Sequence, residues 1–345
     1  MGRRDLVARF LARTGLGAAL RRAGVWDGLL VLNYHRIGDG SASPFDRNVW
    51  TTTEDEFDAQ IAFVTRHADV VGPEDVRDLA GRRGRHVLVT FDDGYRDNHD
   101  VALPILRRHG ATATFFLATG FLDDPRLPWW DEIAWIVRTS ARPRIRMAEA
   151  SVGLDEPDRV HAVTTLVDAG KRLPHDVVDA FLDALAEAAG TGRAGPSAWP
   201  DQWMTWDHAR ALLAAGMSVG GHTVDHPILA RLDAAGQREQ IEGCRRRLRD
   251  ELGIPMRWFS YPNGDPGSYD EVTRAILADA GVELAFTFDG SRPRLGALDP
   301  YAITRATVSP ATSRALFAGM VTAPQLFAPP RAAGPGRARP QPAAG

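Results

Sequence analysis

The sequence predicts an α/β fold built on a parallel sheet that is closed, or nearly closed, into a barrel. Two observations carry this. Seven short apolar runs rich in strand-forming residues recur along the chain, and helical periodicity fills many of the gaps between them. Strand alternating with helix implies parallel strands. Seven such units over 345 residues suit a barrel better than an open sheet. Composition agrees, with 44% hydrophobic and 25% charged residues, ordinary for a globular chain. A formal charge of -3 gives no electrostatic reason to expect nucleic acid as a partner.

The expected strands, in order, are GLLVLNY (28–34), HVLVTF (86–91), ATATFFLA (111–118), GMSVGG (216–221), RWFSY (257–261), ELAFTF (283–288) and YAITRATV (301–308). Thr53, followed by Glu56, reads as a capping box opening the first barrel helix. DNHDVALPILRRHG ends in glycine after basic residues, a helix C-terminus. LDAAGQREQIEGCRRRLRDELG and GSYDEVTRAILADAG repeat the pattern.

Residues 126–200 break the rhythm and read as a mostly helical insertion within a barrel domain spanning 28–320. Its tryptophans (Trp129, Trp130 and Trp135, then Trp199, Trp203 and Trp206 at the far end) fit core packing better than sugar stacking. Residues 321–345, rich in Pro, Gly, Ala and Arg, read as a disordered tail. Residues 1–27 read as an N-terminal amphipathic helix with six arginines, either lying on an anionic membrane through residues 1–24 or packed on the domain. No signal-peptide-like run is present, so a cytoplasmic location is expected, peripheral at the inner membrane face if that helix binds lipid. Cys244 is the sole cysteine, which rules out an intrachain disulfide.

Chemistry concentrates at the carboxyl ends of the strands, where a parallel barrel binds ligands. Asp92 and Asp93 end the second run, His35 ends the first, and His222 and His226 follow the fourth. Tyr261, Asn263 and Gly264 follow the fifth. Asp-Asp-Gly alone would be read as a turn. The H-x-x-x-H spacing lets two imidazoles share a metal, and Pro227 confines the pair to a single turn. A carboxylate from another strand completes a two-His, one-carboxylate set with positions left open, the catalytic pattern. That N/O donor set points to Zn²⁺, with Co²⁺ or Mn²⁺ as the other candidates.

TFDDG and HTVDH together resemble the first two motifs of the NodB-type polysaccharide deacetylases, carbohydrate esterase family four. The resemblance covers roughly 28–310 with the insertion outside it. It implies a distorted (β/α)7 barrel, a divalent metal and removal of acetyl groups from sugars. Carried over by position, Asp92 is the expected general base, and Asp93, His222 and His226 are the expected metal ligands. Two departures follow. In FSYPNG, Ser260 stands where the family places an arginine and Asn263 where it places an aromatic. The arginine that holds the catalytic aspartate must then come from elsewhere, and Arg305 is the candidate, unless it is a solvated strand-end residue. A backbone N–H near Asn263, with Tyr261 beside it, is the expected oxyanion or substrate contact. Second, no histidine follows His226. VLNYHRIGD resembles the segment that supplies the general acid in the permuted branch, typified by poly-β-1,6-N-acetylglucosamine deacetylases. That assigns the acid role to His35, the competing reading being a histidine that only caps a strand.

The expected function is therefore metal-dependent hydrolysis of the N-acetyl group of an N-acetylhexosamine-containing glycan of the cell envelope. The rivals are a deacylase acting on a lipid-linked sugar or small amide, and a non-catalytic carbohydrate-binding protein on the same fold.

Overall fold

The computed structural model describes residues 3–327 apart from 80, 148–149, 156–157, 200, 294 and 296–297. Its main sheet contains β1 (Gly28–Tyr34), β2 (Asp69–Val70), β3 (Arg85–Phe91), β4 (Thr114–Leu117), β5 (Ser218–Gly221), β6 (Trp258–Ser260), β7 (Leu284–Phe286) and β8 (Ala306–Thr307). The order is β7-β6-β5-β4-β3-β1-β8, with β2 beside β3, and every pairing is parallel. The two edges meet. Phe286 of β7 bridges to Ile303, whose N–H donates to Ala285 and whose carbonyl accepts from Thr287, both at 2.9 Å. Three residues later the same segment pairs as β8 with β1. Residues 303–307 thus close the sheet into a distorted (β/α) barrel, and all seven expected runs contribute to it.

The runs are continuously apolar because both faces of these strands are buried. Leu29, Val31, Leu88, Phe116 and Phe286 belong to one core, while the alternating Leu30, Leu32, Val87, Val89 and Phe115 join another with the surrounding helices. Two short features escaped sequence reading: β2 and a pair formed by Arg36–Ile37 with Trp50–Thr52. Strands of two or three residues carry too few side chains to show a period.

The insertion is mostly helical, with the helices Trp129–Thr139, Asp158–Gly170 and Val178–Ala189. It also holds an antiparallel hairpin, Arg144–Met147 with Ala150–Gly153, which the sequence reading did not foresee. Ile133, Ile136, Leu166, Leu182 and Leu185 form a further core that also takes in Tyr95, Ala118 and Phe121. Core packing holds for Trp130, Trp203 and Trp206, whereas Trp129, Trp135 and Trp199 remain partly exposed.

Thr53 caps the helix Glu54–His67 by accepting the Glu56 N–H. The expected return bond of a capping box is replaced by an ion pair from Glu56 to Arg314. Residues 321–327 are not a tail: the helix Arg314–Thr322 runs into them, and Phe327 is buried. The rest of the expected disordered segment, 328–345, lies outside the described residues. The N-terminal helix Arg3–Arg13 packs Ala8 and Leu11 inward yet leaves Leu6, Val7 and Phe10 exposed among its arginines. Among the described residues, no helix is long and apolar enough to cross a membrane.

Candidate active site

Four strand ends converge on one cavity of about 300 Å³. His35 follows β1, Asp92 and Asp93 follow β3, His222 follows β5, and Tyr261 and Asn263 follow β6; all line it, with His226. Main-chain bonds lock the ends together: Asp92 N–H to Tyr34, Ala118 N–H to Asp93, and His222 N–H to Leu117.

The backbone here is strained. Asp93, Thr223, His226 and Asn263 are four of the five non-glycine residues with positive φ among those described, at 75°, 67°, 57° and 63°. Such conformations cost on the order of 1–3 kcal/mol each and persist only where the surroundings impose them. Thr223 shows how. Its hydroxyl donates to the His222 carbonyl and accepts the His226 N–H, closing the H-T-V-D-H turn. Gln240, from the helix Ala234–Leu252, accepts the N–H groups of Val224 and Asp225, and Arg126 pairs with Asp225.

Asp93 Oδ1 lies 3.3 Å from Nε2 of both His222 and His226. It is buried and accepts no hydrogen bond. An orphaned carboxylate oxygen is costly, and a cation is what this one lacks. Two donors each about 2.0–2.1 Å from a tetrahedral ion lie roughly 3.4 Å apart, which matches the spacing found. His222 Nδ1 donates to the Ser260 carbonyl at 2.7 Å, so its Nε2 lone pair faces Asp93. His226 Nδ1 has no such partner, and its ring is held instead against Trp130, 4.6 Å between centroids. Burial pushes the Asp93 carboxyl up, and the two imidazoles, when protonated, more than reverse it, leaving it well below the usual range. The residues fit a divalent ion.

Asp92 serves differently. Arg305, fully buried, grips both carboxylate oxygens at 2.8 Å, and Asn33 donates to Oδ2 at 3.3 Å. The guanidinium also donates to Thr287, Asn33 and Ser260. Arg305 is therefore not a solvated strand-end residue. Ser260 marks the place where its headgroup arrives: the small side chain leaves room for a guanidinium from another strand. Burial raises the Asp92 carboxyl, but Arg305 and His222 outweigh it and keep it lower than normal. His35 Nε2 stands 3.9 Å from Asp92 Oδ2, its side chain 26% exposed at the cavity rim. Tyr261 offers substrate little, since its hydroxyl donates to Tyr301 and its N–H to Phe286. Asn263 spends its side-chain amide on Asp265. Of the other histidines, His86 lies on β3.

Sequence reading missed Asn33, Thr223, Gln240 and Trp130. Only Thr223 carried a signal, being enclosed in the histidine motif.

Residues 80–144 and 155–285, more than half of the chain, match the family described as polysaccharide deacetylase. The chain belongs to that family. The match leaves only 145–154, essentially the hairpin, outside within the insertion, so 126–200 does not stand apart from the family as expected. A Bacillus subtilis protein assigned to the polysaccharide deacetylases, YxkH, is 30% identical over 237 residues, covering 68% of this chain and 56% of that one. The chain thus spans about half, or less, of the curated relatives it matches. Two solved structures share the deacetylase fold. Streptococcus pyogenes deacetylase PplD, in complex with acetate, superposes with TM-score 0.54 at 19% identity, covering 84% of this chain and 95% of that one. IcaB from Ammonifex degensii does so with TM-score 0.54 at 23% identity, covering 86% and 98%.

One buried group behind the cavity has a pH consequence. Asp131 accepts the Asp46 N–H at 3.0 Å, and its other oxygen is buried without a partner. Burial pushes its carboxyl up to about 7, despite Arg36 nearby. A raised carboxyl favours the folded state while protonated, so this contribution is lost as pH rises from about 4 to about 7. Asp131→Asn keeps an acceptor for Asp46 and removes the buried charge. In thermal unfolding it should gain on the parent protein across that window, by on the order of a few kcal/mol at pH 8. Parallel stability curves would disprove this.

Proposed function

We propose that this chain is a metal-dependent deacetylase that hydrolyses the N-acetyl group of an N-acetylhexosamine-containing glycan, by the permuted arrangement of the poly-β-1,6-N-acetylglucosamine deacetylases. One observation carries the reading: an orphaned carboxylate oxygen between two imidazole nitrogens, beside a second carboxylate gripped by a buried arginine. Asp93, His222 and His226 would hold the ion, Zn²⁺ by its donor set, with Co²⁺ or Mn²⁺ as alternatives. When bound it supplies Lewis acidity to the carbonyl and to water.

The protein's own groups do the rest. Asp92, kept ionised by Arg305, accepts the proton of the attacking water. The backbone N–H at Asn263 serves as oxyanion donor. His35 protonates the leaving nitrogen as the C–N bond breaks, so the products are acetate and a neutral amine. A histidine suits that transfer near neutral pH.

A lipid-linked sugar as substrate is favoured by the N-terminal helix, where Phe10 and Leu6 stand 60% and 52% exposed beside Arg3, Arg4, Arg9 and Arg13. Apolar residues among cations suit an anionic membrane face. The non-catalytic alternative leaves the complete set of ligands, base and acid without a purpose.

The test is acetate release from N-acetylglucosamine oligomers by metal-stripped protein restored with each ion, with co-sedimentation on anionic or zwitterionic vesicles read in parallel. Metal-dependent release that disappears in His35→Ala is expected. Failure to bind any ion would sink the central claim, and absence from anionic vesicles would remove the lipid reading.

A further inference from the structure

The catalytic cavity is walled at one place by the insertion, through Trp129, Val167 and Lys171, and at another by Thr307, Val308 and Ser309 at the end of β8. Beside that second segment lies another cavity, of about 280 Å³, and Thr307 and Ser309 line both. The proposed chemistry uses nothing in it.

This second cavity is an apolar slot. Leu30, Ala306, Leu316, Met320, Pro324 and Phe327 supply most of its walls. Thr312, Leu316, Met320 and Pro324 recur every fourth residue, so one stripe of the helix Arg314–Thr322 lines the slot along its length. Hydroxyls gather where the slot meets the catalytic cavity, on Thr307, Ser309 and Thr312. The Ser309 N–H donates to Thr312 Oγ1 at 3.0 Å, which holds that end in shape. Among the described residues lining the slot, Arg4 alone is charged. It belongs to the N-terminal helix, which Ser313 ties down by donating to Asp5. Asp5 is also spent on Arg9, and Arg4 itself is exposed with no acidic partner among the described residues.

Apolar walls hold water poorly and a hydrocarbon chain well. Methionine adapts to a chain of irregular shape. An unpaired guanidinium is a natural seat for a phosphate. We infer that the slot takes the apolar chain of a lipid phosphate that carries the sugar, with the phosphate at Arg4 and the sugar passing over Thr307 and Ser309 into the catalytic cavity. The exposed Leu6, Val7 and Phe10 stand on the same helix as Arg4, so a membrane met by that helix would present its lipid close to the slot. The inference rests on the lipid-linked reading of the substrate, and gives that reading a binding site.

The test follows cis-parinaric acid, a fluorescent fatty acid, binding to the intact metal-free protein. One probe per chain is expected, displaced by decyl phosphate, more weakly by decanol, and not by inorganic phosphate. Leu316→Trp, which fills the slot, should lose the probe. Arg4→Gln should weaken decyl phosphate by about threefold or more, an effect that fades at high salt, and should leave decanol as it was. In the metal-loaded protein, N-acetylglucosamine linked to decyl phosphate should exceed the same sugar phosphate without the chain by about a hundredfold or more in kcat/KM. Leu316→Trp should bring that ratio toward one, chiefly through KM. No probe bound by the intact chain would overturn the slot, whose occupant would then be residues 328–345 or a second copy. Loss of the probe in Phe10→Ser with retention in Leu316→Trp would move the lipid to the exposed helix face and overturn it as well. Turnover of both sugars at equal efficiency would keep the deacetylase reading and overturn the slot. Probe binding that depends on Leu316, with no turnover of either sugar, would support the slot and defeat the deacetylase reading.

Discussion

Asp92→Asn is expected to retain a stoichiometric divalent ion and to lower kcat by about a thousandfold, whereas Asp93→Asn is expected to lose the ion. The two residues are adjacent and equally buried, at 3% exposure each, so burial does not separate them. Their partners do. Asp93 Oδ1 faces two imidazole nitrogens and nothing else, while both oxygens of Asp92 are taken by Arg305. A carboxylate saturated by a guanidinium is a poor ligand, but it stays ionised and can receive a proton. Loss of a general base costs about 10²–10⁴ in rate. An amide cannot take up that proton, yet it leaves the three ligand atoms untouched. Metal content by elemental analysis, set beside turnover, checks both. Loss of the ion in Asp92→Asn with retention in Asp93→Asn would reverse the assignment.

Arg305→Met should be the most destabilising single change at the site, by about 3–5 kcal/mol. The side chain is fully buried and its partner nearly so, so solvent screening does not soften the loss. Removing it strands a buried carboxylate and leaves acceptors on Thr287 and Ser260 unpaired. The sign in pH follows from the lowered Asp92 carboxyl. The pair stabilises above the ordinary carboxylate pKa, and that gain is lost as pH falls through the folded value. Without Arg305, burial is opposed only by the neighbouring imidazoles of His222 and His35 and the carboxyl rises, so the acid limb of any surviving activity should move to higher pH. Denaturant unfolding of Arg305→Met, Asp92→Asn and the double variant checks the argument. Breaking one partner of a buried pair costs more than removing both charges, so the double variant should be more stable than Arg305→Met alone. If it is not, the pair is not what holds this part of the barrel.

The seven barrel strands were legible because each is a short run rich in apolar and β-branched residues ending in turn chemistry, and the run survives in sequence whatever lies beside it. The hairpin at 144–153 was not legible, since RIRM is half basic and each of its strands is only four residues long. Asp92, Asp93, His222, His226 and His35 could be gathered from sequence because a parallel barrel brings its strand ends to one face. The left-handed backbone at Asp93, Thr223, His226 and Asn263 could not, because the bonds that brace it, such as those of Thr223 within the turn and Gln240 across the fold, form only in the folded chain.

Residue order alone thus determined that strand would alternate with helix, and that carboxylates and imidazoles would stand at the strand ends. Both are local properties, written in neighbours a few positions apart. The tertiary structure decided which aspartate is gripped and which is open, since Arg305 reaches Asp92 across 213 residues only when residues 303–307 close the barrel. It also decided that the insertion walls the cavity. A side chain's partners at such separations depend on closure of the sheet, and no local pattern in the chain encodes that.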